Sequence, residues 1–406
     1  MSRCFEGAWL QAAPKSASMI YQTVRVLEIV AALATAGSLA YYALCLWSAA
    51  QFLRERRTGG ARATQANPPV SILKPLKGID PEMYENFRSH CLQDYPEYEI
   101  IFGVSDPDDP AIKLVEQLKS EFPQNPIRLM VCPRQLGTNT KVSNLAQMLP
   151  EARYDYLVVN DSDIRVEPNY LRRLLAPLAD SGTGLVTCLY RGVANSTLGS
   201  RLEALGISTD FCPGVLIARE LEGSKFALGS TMAFRRPDLA AIGGFDALVD
   251  YLADDYQLGR RIAALGLKVE LSDVVVETFL PRYTASEFLT HQLRWARAVR
   301  DSRFWGYFGL GISFGLVWAL LTLILASGAG WAWELLGVTV AMRFAVALFV
   351  GGRLLRDRYV MRWLPMIPLR DAIAMMVWLM SFAGHTVSWR GELFKLQHGQ
   401  LKKIGR

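Results

Sequence analysis

The stretch "YDYLVVNDSDIRVEP" occupies residues 154–168. An apolar run, Tyr156 to Val159, ends abruptly, and two carboxylates, Asp161 and Asp163, follow one residue apart. Such a run bounded by polar residues predicts a buried strand with the acids at its tip. If the chain stays extended past Asn160, the two acids face the same way, because strand side chains alternate with a period of two. Working outward, "PPVSILKPL" (68–76), "YEIIFGVSD" (98–106) and "IRLMVCP" (127–133) read as further strands. Between them, "DPAIKLVEQLKSEFP" and "KVSNLAQMLPEA" (141–152) read as helices. Strands alternating with helices predict an α/β domain over residues 68–300 with a parallel, doubly wound sheet. Ligands of such sheets bind beyond the C-terminal strand ends, where Asp106 and Asp161 both fall.

The rest of the chain is membrane-like. Its 406 residues are 51% hydrophobic, which is too long for one simple domain and too apolar to face only water. The net charge of +6 would suit nucleic acid or an anionic membrane. Its placement beside apolar runs, in "RERR" (54–57), "RLLRDR" (353–358) and "KK" (402–403), favours the membrane and excludes nucleic acid as the partner. The six cysteines show no C-x-x-C spacing, so neither zinc nor a disulfide framework is indicated.

Residues 29–53 lack Asp, Glu, Lys and Arg, enough length to span a bilayer. The expected plan is a tail over 1–24, disordered to about residue 20, and an anchor over 25–53. "RERR" follows the apolar run, which argues against a cleaved signal peptide and puts the α/β domain in the cytosol. Residues 304–333 predict one helix ending at "SGAG" (327–330), and a second runs from 331 to 350. The last stretch, 372–389, holds Ser381, His385, Thr386 and Ser388 after "LPMIP" (364–368). A single crossing there would strand the basic tail, 391–406, on the far side. Both a third span and a re-entrant or interfacial segment therefore stay open.

Paired acids at a buried strand tip suit a divalent cation, Mg²⁺ or Mn²⁺, that bridges to substrate phosphates. A turn cap or solvated loop is the plainer reading. A phosphatase using the first acid as nucleophile is disfavoured by Arg165 and by the two strands that precede the motif.

The order and spacing of "SILKPLKGIDP" (71–81), "SDPDDPAI" (105–112), "GTNTKVSNL" (137–145), "DSDIRV" (161–166), "YLADDY" (251–256) and "LRWAR" (293–297) resemble ceramide glucosyltransferases and bacterial hopanoid glycosyltransferases, glycosyltransferase family 21. "TVSWR" (386–390) is similar to the family's tail. The resemblance implies an inverting GT-A enzyme with one N-terminal and about two to four C-terminal transmembrane or interfacial helices, a UDP-sugar donor and a lipid acceptor. It implies that Asp106 holds uridine, that Lys141 and Asn144 approach the diphosphate, and that Asp161 and Asp163 bind the metal. Asp163 stands where ceramide enzymes often carry Gly. Asp255, with Asp254 beside it, matches the base that takes the acceptor's proton, although acids opening a helix also meet its dipole favourably. Arg294 would neutralise the leaving diphosphate and Trp295 would wall the acceptor pocket. The family's Gln or Arg three residues before Arg-Trp is replaced by His291, with Gln292 adjacent. An amphipathic interfacial helix, with Arg294, Arg297 and Arg300 toward headgroups and Trp295 and Phe304 toward lipid, is the plainer reading of the segment.

The expected protein is a bacterial inner-membrane enzyme moving N-acetylglucosamine to a hopanoid. Glucosylation of ceramide, a processive polysaccharide synthase and a non-catalytic scaffold are the alternatives.

Overall fold

The protein is described by a computed structural model over residues 15–59, 67–389 and 392–404. Its strands are β1 (Val70–Leu76), β2 (Tyr98–Val104), β3 (Ile127–Val131), β4 (Tyr156–Asn160), β5 (Ile164–Arg165), β6 (Thr183–Val193), β7 (Thr231–Arg235), β8 (Lys268–Phe279), β9 (Thr386–Trp389), β10 (Glu392–Gln397) and β11 (Gln400–Lys403). The helices that matter for the site are α1 (Lys15–Gly59), α2 (Met83–Cys91), α3 (Ala111–Glu121), α4 (Thr140–Met148), α5 (Leu198–Gly206), α6 (Asp254–Ala264), α7 (Ala285–Ser302), α8 (Gly315–Leu325), α9 (Gly330–Val346) and α10 (Ile367–Ser381).

Eight strands form one sheet in the order β3-β2-β1-β4-β7-β6-β8-β5. β1 pairs parallel with β2 and β4, and β2 with β3, as the alternating strand and helix signals predict. Beyond β4 the expectation of a parallel sheet is corrected: β7 runs antiparallel to both β4 and β6, and β5 antiparallel to β8. The cause lies in the connection. β6 ends at the C-terminal edge of the sheet, the helices from Leu198 to Glu222 stay at that edge, and Thr231, paired with Asn160, must start there and run back. The central strands are buried throughout, with Ile72, Leu73, Ile100, Ile101, Leu157, Val158 and Val159 all at 0% exposure, so both faces of the sheet are covered.

Helix α1 is long and apolar enough to cross a membrane over Met19–Arg57. Residues 15–24 of the expected tail belong to this helix, since nothing between Pro14 and Gly37 breaks it. The rest of that tail, 1–14, lies outside the described residues. The single helix expected over 304–333 is broken instead: Phe304–Ser313 and Gly315–Leu325 meet at a bend of 56°. Tyr42 of α1 fixes the bend by donating to Ser313 O at 2.9 Å and accepting from Gly315 N at 3.1 Å. A Cβ on Gly315 would stand 2.8 Å from both Ser38 Cβ and Tyr42 Oη, so glycine permits the crossing. Gly330–Leu354 is a further candidate span.

The segment Tyr359–Ser381 is also long and apolar enough to cross, and it makes contacts to the α/β domain. Just before it, Asp357 accepts from Ser208 Oγ at 2.7 Å. Midway, Arg370 Nε donates to Leu202 O at 3.2 Å. At its end Ser381 O accepts from Arg300. The same helix is also tied to its apolar neighbours, Asp371 pairing with Arg343 of α9 at 2.7 Å and Trp378 Nε1 donating to Tyr307 O at 3.0 Å, so it stands as a candidate span that touches the α/β domain. The basic tail is not a loose appendage: β9, β10 and β11 form an antiparallel sheet. It docks on the α/β domain through Leu252 N to Gly399 O at 3.1 Å and Leu401 N to Asp250 O at 2.8 Å. His398 and Gly399, at φ 52° and 80°, make the two-residue left-handed turn that a tight hairpin requires.

Candidate active site

The C-terminal ends of β1, β2 and β4 lie along one edge of the sheet. Asp161, just past β4, forms an ion pair with Lys141 Nζ of α4 at 2.7 Å, and the same ammonium stands 3.6 Å from Asp254 Oδ2 at the start of α6. Three motifs separated by up to about a hundred residues therefore meet on one lysine. Burial opposes the charge on Lys141, but Asp161 and Asp254 outweigh it and hold the ammonium above its ordinary range.

The extended geometry expected for "DSD" is not what forms. The chain turns at Ser162 and Asp163, so the two acids take different partners. Ser162 Oγ donates to Asp80, and Asp163 Oδ2 accepts from Thr278 Oγ1 of β8 at 2.6 Å. Burial, then the Asp161 charge, raises the Asp163 carboxyl above the usual range. Among the described residues no cluster of three or more His, Cys, Asp or Glu can hold a metal. The pair Asp161 and Asp163 thus does not make an all-protein cage.

Asp106 lies exposed at the end of β2. It does not cap α3: its Oδ1 accepts from Asp108 N at 2.9 Å, while Asp109 takes Ala111 N and Gly78 N, each at 2.9 Å. Asn144, 2% exposed, accepts from Ser105 Oγ at 2.8 Å and donates to Gly103 O at 3.4 Å. It braces the strand that carries Asp106 and does not project into the site.

Asp254 also faces Asn139 Nδ2 at 3.5 Å. Asp255 Oδ1 accepts from Tyr256 N at 2.7 Å, and its Oδ2 lies 3.0 Å from the position of a Cβ on Gly229, so glycine there leaves room for the carboxylate. Burial, then the neighbouring Asp254, raises the Asp255 carboxyl, while Asp254 is raised by burial against the pull of Lys141. Helix α6 can reach this point because Gly259 packs on the backbone of Phe226 and Ala227.

Helix α7 opens with a capping box between Thr284 and Glu287. His291 lies between Tyr283 and Trp295, with ring centroids 5.2 and 5.5 Å away. Its Nδ1 is buried without a hydrogen-bond partner, and burial, then Arg294, lowers its pKa to about 3, so the ring is neutral. Gln292 does not stand in for the motif's glutamine: it donates to buried Glu203 of α5 and accepts from Arg370 Nη2 of α10 at 3.0 Å. Trp295 packs edge-on to Phe211 at 5.9 Å instead of reaching lipid. Arg297 and Arg300 likewise turn from headgroups to hold the carbonyls of Ala383 and Gly384, each at 2.9 Å, because the folded tail offers acceptors there. Phe304 is exposed as expected.

Two buried residues escaped the sequence reading. Lys74 in β1, at 0% exposure, donates to Asp161 O at 3.0 Å and lies 3.4 Å from His90 Nε2. A lysine inside the apolar run "SILKPL" was the available signal. Glu203, 3% exposed, is pushed up to about 7 by burial, with Arg370 and Arg294 opposing. Nothing in "LGSRLEALG" distinguishes it from a solvated helical glutamate.

The family model for Glycosyl transferase family 21 matches residues 30–402. The chain is 26% identical over 231 residues to ceramide glucosyltransferase 3 of Caenorhabditis elegans, covering 57% of this chain and 50% of that protein. It is 38% identical over 120 residues to the ceramide glucosyltransferase of Komagataella phaffii, covering 28% of this chain and 24% of that protein. The chain thus spans about half or less of these relatives' length. Among solved structures, a mannosyltransferase from Pyrobaculum calidifontis in complex with GDP-Man and Mn²⁺ matches with TM-score 0.52 and 18% identity, over 88% of this chain and 99% of that one. The likeness places the α/β domain in the GT-A fold.

Proposed function

This chain belongs to glycosyl transferase family 21, and we propose that it transfers a sugar, with inversion, from a UDP-sugar to the hydroxyl of a membrane lipid. The observation that carries the reading is the meeting of Asp161 and Asp254 on Lys141 at the strand ends, and the second wall of the site would be α7, which rests through Gln292 on the apolar helix α10. A donor at the strand ends and an acceptor held in the bilayer can meet only where those two walls face.

Asp106, exposed at the end of β2, would hold the uridine, and Lys141 would neutralise the diphosphate as it leaves. Asp161 and Asp163 would hold Mg²⁺ or Mn²⁺, which supplies charge neutralisation to the diphosphate. Asp254 is committed to Lys141 and Asn139, which leaves Asp255, with its raised pKa, as the base. It removes the acceptor hydroxyl's proton as that oxygen attacks the anomeric carbon opposite UDP. Arg294 stabilises the departing charge. His291 and Trp295 line the acceptor side.

For the lipid, Asp163 in place of the glycine common in ceramide enzymes favours a hopanoid with an N-acetylglucosamine donor, on the cytosolic face of a bacterial inner membrane. The named relatives favour ceramide and glucose. Purified full-length protein incubated with labelled UDP-N-acetylglucosamine or UDP-glucose, and a hopanoid alcohol or ceramide, with and without EDTA, tests both. Label in the organic phase that EDTA abolishes supports the reading. Polymer would indicate a synthase, and no turnover of any donor a scaffold.

A further inference from the structure

The segment "GGRLLRDRYVMRW" (351–363) runs from the end of the helix Gly330–Leu354 through a short connection into the helix Tyr359–Trp363, and it is held firmly. Leu354 and Leu355 are buried at 1% and 0% exposure. Leu355 O accepts from Arg191 Nη1 at 2.8 Å. Asp357 N donates to Gly351 O at 2.9 Å, and its carboxylate takes Ser208 Oγ at 2.7 Å and Tyr359 N at 2.9 Å. With 354, 355 and 357 pinned inward, Arg353, Arg356 and Arg358 are all exposed.

Arg356 adopts φ +54°, a left-handed conformation that costs a residue with a Cβ and persists only where its surroundings impose it. Arg353, Arg356, Arg358 and Arg362 form no ion pair among the described residues. Arg362 and Arg201 instead flank the Trp363 ring, 5.8 and 4.8 Å from its centroid. Tyr359 and Met361 beside them are 55% and 71% exposed. The connection lies at the α/β-domain end of the candidate span Gly330–Leu354. The exit of α1 joins it there, Arg56 Nη1 reaching Leu354 O at 3.5 Å. It therefore sits at headgroup depth.

Topology alone asks for positive charge on this side, not for charge in a fixed arrangement. Unpaired guanidiniums on a backbone fixed at 354, 355 and 357, next to exposed aromatic and thioether side chains, match a phosphate attached to acyl chains, since the fork of Arg recognises phosphate oxygens and the apolar neighbours reach the hydrocarbon boundary. We propose that the segment Gly351–Trp363 is a binding site for the phosphate group of an anionic phospholipid.

The test uses full-length protein, delipidated in detergent and offered equimolar phosphatidylglycerol and phosphatidylcholine, with retained lipid counted by native mass spectrometry. No sugar donor is present, so the outcome is independent of the transferase reading. The expected result is a preference for phosphatidylglycerol of roughly tenfold that R353Q/R356Q/R358Q abolishes. The charge-matched control R153Q/R172Q/R260Q keeps it. Arg356→Gly, which suits the left-handed backbone, should keep or raise the melting temperature while weakening the preference. No preference in the wild type, equal loss in the triple and control variants, or full displacement by inorganic phosphate would overturn the proposal.

Discussion

Replacing Lys74 by Met separates stability from activity. The ammonium is wholly buried in β1 and has a carbonyl and an imidazole, but no carboxylate, within hydrogen-bond reach. Burial lowers its pKa from 10.5 to about 7, with Asp161 and Asp163 opposing. The sign follows from linkage. The unfolded chain keeps the proton up to about pH 10.5 while the native protein releases it near 7, so wild-type stability rises with pH across that window and falls as pH drops through it. At about 1.4 kcal/mol per unit, the gap amounts to roughly 5 kcal/mol as an upper bound. Met fills a similar volume without a charge, so K74M is expected to be more stable than wild type at pH 7 by about 1–4 kcal/mol and to show a flatter pH dependence. Yet Asp161 loses the group that holds its carbonyl, and outer-shell losses of this kind cost about 10–100-fold in metal affinity or activity. Thermal melting from pH 7 to 10, together with sugar transfer at varied Mn²⁺, reads both effects. Parallel pH profiles for the two proteins, or full activity of K74M at unchanged Mn²⁺ requirement, would refute the reasoning.

Asp255→Asn should lower turnover by about 10²–10⁴-fold with donor affinity nearly unchanged; a matching collapse in donor binding in a UDP titration would remove it from the role of base. Glu203, raised to about 7 from 4.5, stabilises the native state fully below its unfolded pKa and loses that contribution as pH rises through 7. E203Q should therefore melt with less pH dependence between 5 and 8, and an unchanged slope would assign the titration to another group. A Cβ on Gly259 would stand 2.4 Å from Ala227 N and 2.6 Å from Phe226 C, backbone atoms that cannot step aside. Gly259→Ala should cost about 1–3 kcal/mol and lower turnover by shifting Asp255, and wild-type melting in this variant would contradict the packing of α6.

The parts of the fold carried by local pattern were readable from the chain. Apolar runs and their spacing located β1 to β4 and α1. What stayed hidden depends on partners remote in sequence. The reversal of β7 follows from helices that remain at one edge of the sheet, which no strand signal encodes. Asp163 parts from Asp161 because Thr278 of β8 waits for it. Arg297 and Arg300 looked like headgroup ligands until the folded tail supplied carbonyls. The tail hairpin, by contrast, announces itself in "LQHGQL" (396–401), where apolar and polar residues alternate around a His-Gly turn that net basicity concealed.

The most direct measurement is a structure of the full-length protein in a lipid nanodisc with UDP-sugar and Mn²⁺. Ion density is expected against Asp161 and Asp163, with the diphosphate beside Lys141 and the anomeric carbon facing Asp255, α7 being open toward the bilayer. A nucleotide bound away from the ends of β2 and β4, or an anomeric carbon walled off from the membrane, would contradict the proposed function.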